Sequence, residues 1–256
     1  MNDLDGAVSN VLRTQKASGK PLAVVLAGHN GSGKSTLWYK RLASRLQIPL
    51  VNADRMMLSI LPEVAAQSPL PDWARALRDT NVSWMAVAQK GVEAFVAQAM
   101  ARKVPFAMET VFSHWREQPN GRIESKIDLI RQMQAAGYFV VLFFVGLTHE
   151  HLSILRVSTR VEQGGHAVDA ARLVERFPRT QKAIGAAASV ADATVMFDNS
   201  RTTKEAFTVC RVQLQDQVLF DMRDGPGEPP PPAILAWLDR VSPKAHAPAA
   251  GSVGAA

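Results

Sequence analysis

Apolar and polar positions along the chain follow two rhythms. Residues 21–27, Pro-Leu-Ala-Val-Val-Leu-Ala, form an unbroken apolar run, and residues 138–145 form a longer, strongly β-prone one. Runs of this kind predict strands covered on both faces. Shorter runs at 48–51, 104–108 and 193–197 predict three more strands. Helical spacing predicts a helix over 36–46, with leucines at 37, 42 and 46, and a long one over 82–102. It predicts another over 121–136, where Ile123, Ile127, Ile130 and Met133 recur and Gly137 closes the run. Residues 61–72 are punctuated by proline and predict loop with some helix. Alternating strands and helices predict an α/β fold, a parallel sheet with helices on both sides. Ligands bind such sheets beyond the carboxyl ends of the strands. Here those ends carry the segment from Gly28, then Asp54, Glu109 and Asp198-Asn199, which predicts one polar crevice.

The last quarter breaks this rhythm. Residues 207–220 predict one or two added strands, and the proline-rich stretch 225–232 can be neither helix nor central strand. Residues 233–241 predict a short terminal helix packed through Ile234, Leu235, Trp237 and Leu238. The Ala/Pro/Gly/Ser tail over 242–256 predicts disorder. The expected division is an N-terminal helix or leader over 1–20, one domain over 21–241 with a lid near 150–182, and the tail.

Residues 28–36 read Gly-His-Asn-Gly-Ser-Gly-Lys-Ser-Thr and fill the pattern G-x-x-x-x-G-K-[ST]. Small residues let successive backbone N–H groups turn inward around a polyphosphate. Lys34 can reach the β- and γ-phosphates and the Ser35 hydroxyl can ligate Mg²⁺. A strand, this loop and a helix N-terminus make an anion site. The other reading, a chance match in a Gly/Ser turn, fits the flanks poorly. The motif makes the expected sheet a P-loop NTPase type.

Composition adds limits. The 256 residues are 47% hydrophobic and 20% charged, enough for a sizeable core. The single cysteine, Cys210, excludes an internal disulfide framework and reads as a buried strand residue rather than a nucleophile. The acidic start lacks an apolar signal region, and the longest apolar run, 138–147, spans about half of what a membrane helix needs. These features predict a soluble, cytoplasmic protein. The net charge of +6 is dispersed, without an aromatic-interleaved basic cluster, which argues against nucleic acid. Its densest part is Arg156, Arg160, Arg172, Arg176, Arg179 and Lys182. That run is either a phosphate-handling cluster or a solvated helix face with i,i+4 ion pairs.

Phosphoryl transfer needs a nucleotide cradle, a metal, an acceptor-activating group and positive charge at the transferring phosphoryl. Asp54 follows the second strand and is a candidate general base; an Asp there is also an ordinary helix N-cap or part of a metal shell. Glu109 would hold Mg²⁺ through water, hydrogen-bond the acceptor, or be a surface acid at a strand end. Arg160 opens Arg-Val-Glu-Gln-Gly-Gly-His166, whose paired glycines predict a hinge or tight turn in a lid. His166 would order that turn, or act catalytically.

Taken in order, these residues resemble the zeta-toxin family of P-loop kinases over roughly residues 22–200. The blocks are 28–36, Asn52-Ala-Asp54, Glu109-Thr-Val-Phe-Ser-His114, residues 156–166, and Asp198-Asn-Ser200. Where family members often carry proline, Asp169 follows Val168. The resemblance implies transfer of the ATP γ-phosphate to a sugar hydroxyl of UDP-N-acetylglucosamine, a product that poisons cell-wall synthesis. It implies Asp54 as base, Lys34 as phosphate ligand, Ser35 as Mg²⁺ ligand, and Glu109 and Thr110 in the acceptor pocket. Arg160 and Arg176 would clamp phosphate, and Gly28, Asn30, Gly31, Ser32, Gly33 and Thr36 would complete the ATP cradle. A small helical antitoxin is the implied partner. A kinase of another acceptor (an antibiotic, a sugar or a nucleic-acid end) and a regulatory ATPase remain alternatives on this scaffold.

Overall fold

The computed structural model describes residues 3–64, 68, 70–162, 167–225 and 228–244. Along the chain run α1 (Leu4–Ala17), β1 (Leu22–Gly28), α2 (Lys34–Leu37), a π-helical segment (Trp38–Leu42) and α3 (Ala43–Leu46). Next come β2 (Leu50–Val51), α4 (Ala53–Leu58), α5 (Asp72–Asp79), α6 (Val82–Arg102) and β3 (Phe106–Thr110). A small hairpin, β4 (Trp115–Glu117) with β5 (Ile123–Ser125), precedes α7 (Ile127–Ala135), β6 (Phe139–Gly146), α8 (Glu150–Glu162) and α9 (Ala170–Ala188). The chain continues through β7 (Ala193–Asp198), β8 (Thr208–Leu214), β9 (Gln217–Asp221) and α10 (Pro232–Val241).

Seven strands form one sheet in the order β2-β3-β1-β6-β7-β8-β9. The first five are parallel, and β8 and β9 add antiparallel at one edge. Strands β1 and β6 are central, which is why they are apolar throughout. Ala23, Val25 and Ala27 face a layer built from α6, α7, α9 and α10, through residues such as Val96, Ile130, Ile184 and Trp237. Leu22, Val24 and Leu26 face the opposite layer, where Ala7, Val8 and Val11 of α1 meet Leu37, Trp38 and Leu42. The π-helical segment turns Trp38 and Leu42 into this second layer directly behind the phosphate loop. π-Helical turns inside helices recur at functional sites.

The helix expected over 121–136 is corrected. It starts at Ile127, and residues 115–125 form the β4–β5 hairpin. The Pro119-Asn120-Gly121 turn decides this. Gly121 N donates to the Gln118 carbonyl at 2.9 Å, and Arg122 N donates to Asn120 Oδ1 at 3.0 Å. That turn chemistry outweighs the coincidental spacing of Ile123 and Ile127. The third strand also begins two residues later than its apolar run, so Glu109 lies within β3 rather than beyond it. The helical content expected in 61–72 appears only from Asp72 onward among the described residues. The Gly164-Gly165 hinge, His166 and tail residues 245–256 lie outside the described residues.

Packing against Trp237 fixes the end of β6. A Cβ on Gly146 would lie 2.0 Å from Trp237 Cζ2, and Trp237 is fully buried. Gly146→Ala should therefore lower stability by roughly 1–3 kcal/mol, the usual cost of overpacking a closed core. Denaturant unfolding measures this; an unchanged midpoint would mean that Trp237 has room to move.

Candidate active site

The loop from Gly28 leaves β1 at the carboxyl edge of the sheet. Gly33 sits at φ +94°, and a Cβ there would meet Asn199 Nδ2 at 2.6 Å. Glycine is needed at this turn for both reasons. Asn199, just beyond β7, donates from Nδ2 to the Ser32 carbonyl at 2.8 Å and braces the loop from below. The Ser32 side chain is itself buried beneath the loop, so it shapes the cradle rather than facing the cleft. Gly28 likewise acts through its backbone. Asn30, Gly31, Gly33, Lys34, Ser35 and Thr36 line the open side.

Lys34 Nζ donates to the carbonyls of Gly28 at 3.1 Å and His29 at 2.9 Å, and lies 3.8 Å from Glu109. Burial lowers its pKa; the Glu109 and Asp54 carboxylates oppose that fall and Arg160 adds to it. The Ser35 hydroxyl lies 3.0 Å from Glu109 Oε2, and Asn52 Nδ2 donates to the same oxygen at 2.8 Å. Glu109 is thus an interior acid joined to the loop, and the surface-acid reading falls.

Asn52 removes the capping alternative for Asp54. Its Oδ1 accepts from Arg55 N at 3.3 Å, so Asn52 caps α4. Asp54 stands in the first turn of that helix, exposed, on the wall of the cleft. The capping role is taken, and the Asp54 carboxylate faces the space beside the loop.

That space is a cleft of about 920 Å³. Among the described residues, eight cationic side chains line it (Lys34, Arg55, Arg116, Lys126, Arg156, Arg160, Arg176 and Arg179) against the two carboxylates Asp54 and Glu109. Burial lowers the pKa of Arg176, and Arg172 and Arg179 add to this. Lys126 is lowered by burial, with Arg176 contributing and Glu93 opposing. Cations crowded and desolvated in this way make a site that gains from any bound polyanion.

The arginine-rich run divides between its two readings. Arg156, Arg160, Arg176 and Arg179 line the cleft, whereas Arg172 and Lys182 are exposed. Lys182 lies over the Trp115 ring at 5.0 Å, and Arg179 also pairs with Glu175 one turn away at 2.9 Å. Asp198 does not join the crevice expected of it. It is buried and holds Arg201 at 3.2 Å and Ser200 N at 3.0 Å. Cys210 is buried, and burial pushes its thiol far up, which disfavours the nucleophilic thiolate.

Sequence reasoning missed Lys126. It stands between β5 and α7, bonds the Thr110 hydroxyl, and enters the same wall of the cleft as Thr110. Its position inside a supposed amphipathic helix hid it. The Asn-Gly turn at 120–121 was the signal that could have exposed it.

The geometry is that of a phosphate loop facing an acid and the arginines of α8 and α9 across one cleft. No helix among the described residues is long and apolar enough to cross a membrane. Among solved structures, the fold is similar to one from the PezAT chromosomal toxin-antitoxin system of Streptococcus pneumoniae. That match has a TM-score of 0.53 and 13% identity and covers 94% of this chain and 90% of the other. It is also similar to the AvrRxo1-ORF1:-ORF2 structure with ATP, at TM-score 0.57 and 14% identity over 98% of this chain and 73% of the other. Identities this low establish the fold alone. Among curated proteins, none matches the sequence. The zeta toxin family profile matches residues 8–204, from within α1 to just past the Asn199 brace. That span includes the loop, Asp54, Glu109 and all four cleft arginines of α8 and α9, and the chain belongs to the zeta toxin family.

Proposed function

We propose that the protein transfers the γ-phosphate of ATP to a sugar hydroxyl of a UDP-activated sugar, with UDP-N-acetylglucosamine as the acceptor that family membership favours. The observation that carries this is one cleft in which the phosphate loop, the exposed Asp54 carboxylate and the α8–α9 arginines meet. Asp54 would take the proton of the acceptor hydroxyl. The hydroxyl oxygen bonds to the γ-phosphorus as the bond to the bridging oxygen of ADP breaks, and the electron pair leaves with ADP. Lys34 would leave the Gly28 and His29 carbonyls for the phosphates. Thr110 and Lys126 would hold the acceptor.

The donor set near the loop fits Mg²⁺: a Ser35 hydroxyl and a Glu109 carboxylate are hard oxygen donors, few enough to leave room for phosphate oxygens and water. Ser35 would bind the ion directly and Glu109 through water, and the ion would neutralise charge on the β- and γ-phosphates. A reaction that uses ATP would fit the cytoplasm, and the toxin-antitoxin origin of a structural neighbour supports a small antitoxin partner.

Incubation of the protein with ATP, Mg²⁺ and UDP-N-acetylglucosamine should yield a species heavier by one phosphate in mass spectrometry. The same assay on a metabolite pool identifies any other acceptor. ATP turnover with no phosphorylated small molecule would establish a regulatory ATPase instead.

Arg160 supplies a separate expectation. It is half-buried in the last turn of α8, lines the cleft and acts electrostatically on Lys34. Arg160→Ala should lower kcat by roughly 10²-fold or more while ATP Kd moves only a few-fold, because its charge matters most in the transition state. Arg160→Lys should recover little, since one ammonium cannot replace a bidentate fork. Steady-state kinetics decide; an unchanged kcat in the alanine variant removes Arg160 from the site.

A further inference from the structure

The second residue of the phosphate loop, His29, does not face the cleft. Its ring is buried and stacks on Phe177 of α9, with centroids 4.0 Å apart and planes 13° from parallel. The edge of Phe144 closes it from the sheet side at 6.0 Å. Burial, with Lys34 nearby, pushes the imidazole down to about 3, so the ring is neutral at physiological pH. Its Nε2 atom is buried and has no hydrogen-bond partner among the described residues. A polar atom held in this state costs stability. The ring is therefore used for its flat shape.

Helix α9 needs such a contact. Pro178 lies inside it, directly after Phe177. Proline has no N–H for the Val174 carbonyl and clashes with it, which weakens the helix there. Beyond Pro178, Ala183, Ile184, Ala187 and Ala188 anchor the second half of the continuous helix in the core. Before it, only Leu173 and Phe177 are buried, and this half carries Arg176 into the cleft, with Arg179 directly after the proline. The loop and the helix thus meet through two rings. The His29 carbonyl is at the same time one of the two groups holding Lys34 Nζ.

We propose that the His29–Phe177 stack anchors the weakened helix to the phosphate loop and registers the α9 arginines on it, so that a polyphosphate seated in the loop orders the first half of α9. His29 and Phe177 are then positioning residues, acting through Arg176 and Arg179. The inference rests on the reading that the loop holds ATP. A bound polyphosphate would draw Lys34 away from the His29 carbonyl and fix the loop backbone. The stack carries that fixation to α9, where the arginines find the same phosphates.

The test is amide hydrogen exchange of α9 with and without saturating ATP, with ATP affinity measured by calorimetry on the same samples. In the wild type, ATP should slow exchange in the first half of α9 by about tenfold or more. His29→Ala should bind ATP within about threefold of the wild type yet lose that slowing, because the loop amides remain while the stack is gone. His29→Phe should keep the slowing and unfold at the same or a higher temperature, since it retains the flat ring and removes the unbonded nitrogen. Should His29→Ala fail to fold, Phe177→Leu removes the stack while keeping the position apolar. The inference is overturned if His29→Ala or Phe177→Leu shows the wild-type slowing, if His29→Phe loses it, or if the wild type binds ATP without any slowing. Failure of the wild type to bind ATP overturns the functional reading itself, and the calorimetry reports that separately.

Discussion

Lys34→Ala should abolish phosphoryl transfer and leave the fold intact. Its ammonium donates to two loop carbonyls and lies 3.8 Å from the Glu109 carboxylate, and both side chains line the cleft. Removing it opens space toward the cleft, and no apolar core cavity results. Turnover at saturating ATP should fall by at least about 10³-fold, since the group proposed to meet the developing charge on the transferring phosphoryl would be lost. The unfolding free energy should change little, within about 1 kcal/mol, because burial already disfavours the charged amine. Near-wild-type turnover would mean that the loop is not the active cradle.

Asp54→Asn should preserve ATP affinity and lose transfer by roughly two to four orders of magnitude, the range for a positioned general base. The substitution keeps shape and removes the proton acceptor. The structure sharpens this expectation, because Asn52 rather than Asp54 caps α4. Stability should therefore stay within about 0.5 kcal/mol, as for a surface change away from a cap. Calorimetry with ATP and single-turnover kinetics separate binding from chemistry. A variant that transfers normally would remove the base role and leave Asp54 as one of two anions in a cationic cleft.

The core of the sheet was legible because parallel strands buried on both faces cannot hide. Strands β1 and β6 have no polar side to present, so they read as continuous runs. The loop was legible because its chemistry tolerates few residue types. The stretch after β3 was not. Residues 121–126 carry isoleucine and polar residues that satisfy a helical period, while three turn residues at 119–121 close a hairpin. The local turn prevailed over the period, and Lys126 was lost with it. Asp198 shows the opposite limit: a strand-end acid was legible, but its commitment to Arg201 was not, because that pairing depends on how the chain turns after β7. The His29–Phe177 pair spans 148 positions and leaves no mark on either local pattern.

The imbalance of charge in the cleft reaches beyond the reaction itself. Among the described residues, eight cations against two carboxylates project a positive field through the mouth of a concave, low-dielectric wall. Such a field gathers polyanions from solution before any contact forms and weakens as ionic strength rises. Association of ATP should accordingly slow with added salt, more steeply than the chemical step does. The same attraction acts on whatever leaves. A product that has gained a phosphate meets the arginines with more charge than the substrate it replaced, so departure rather than bond making would set the pace at low salt.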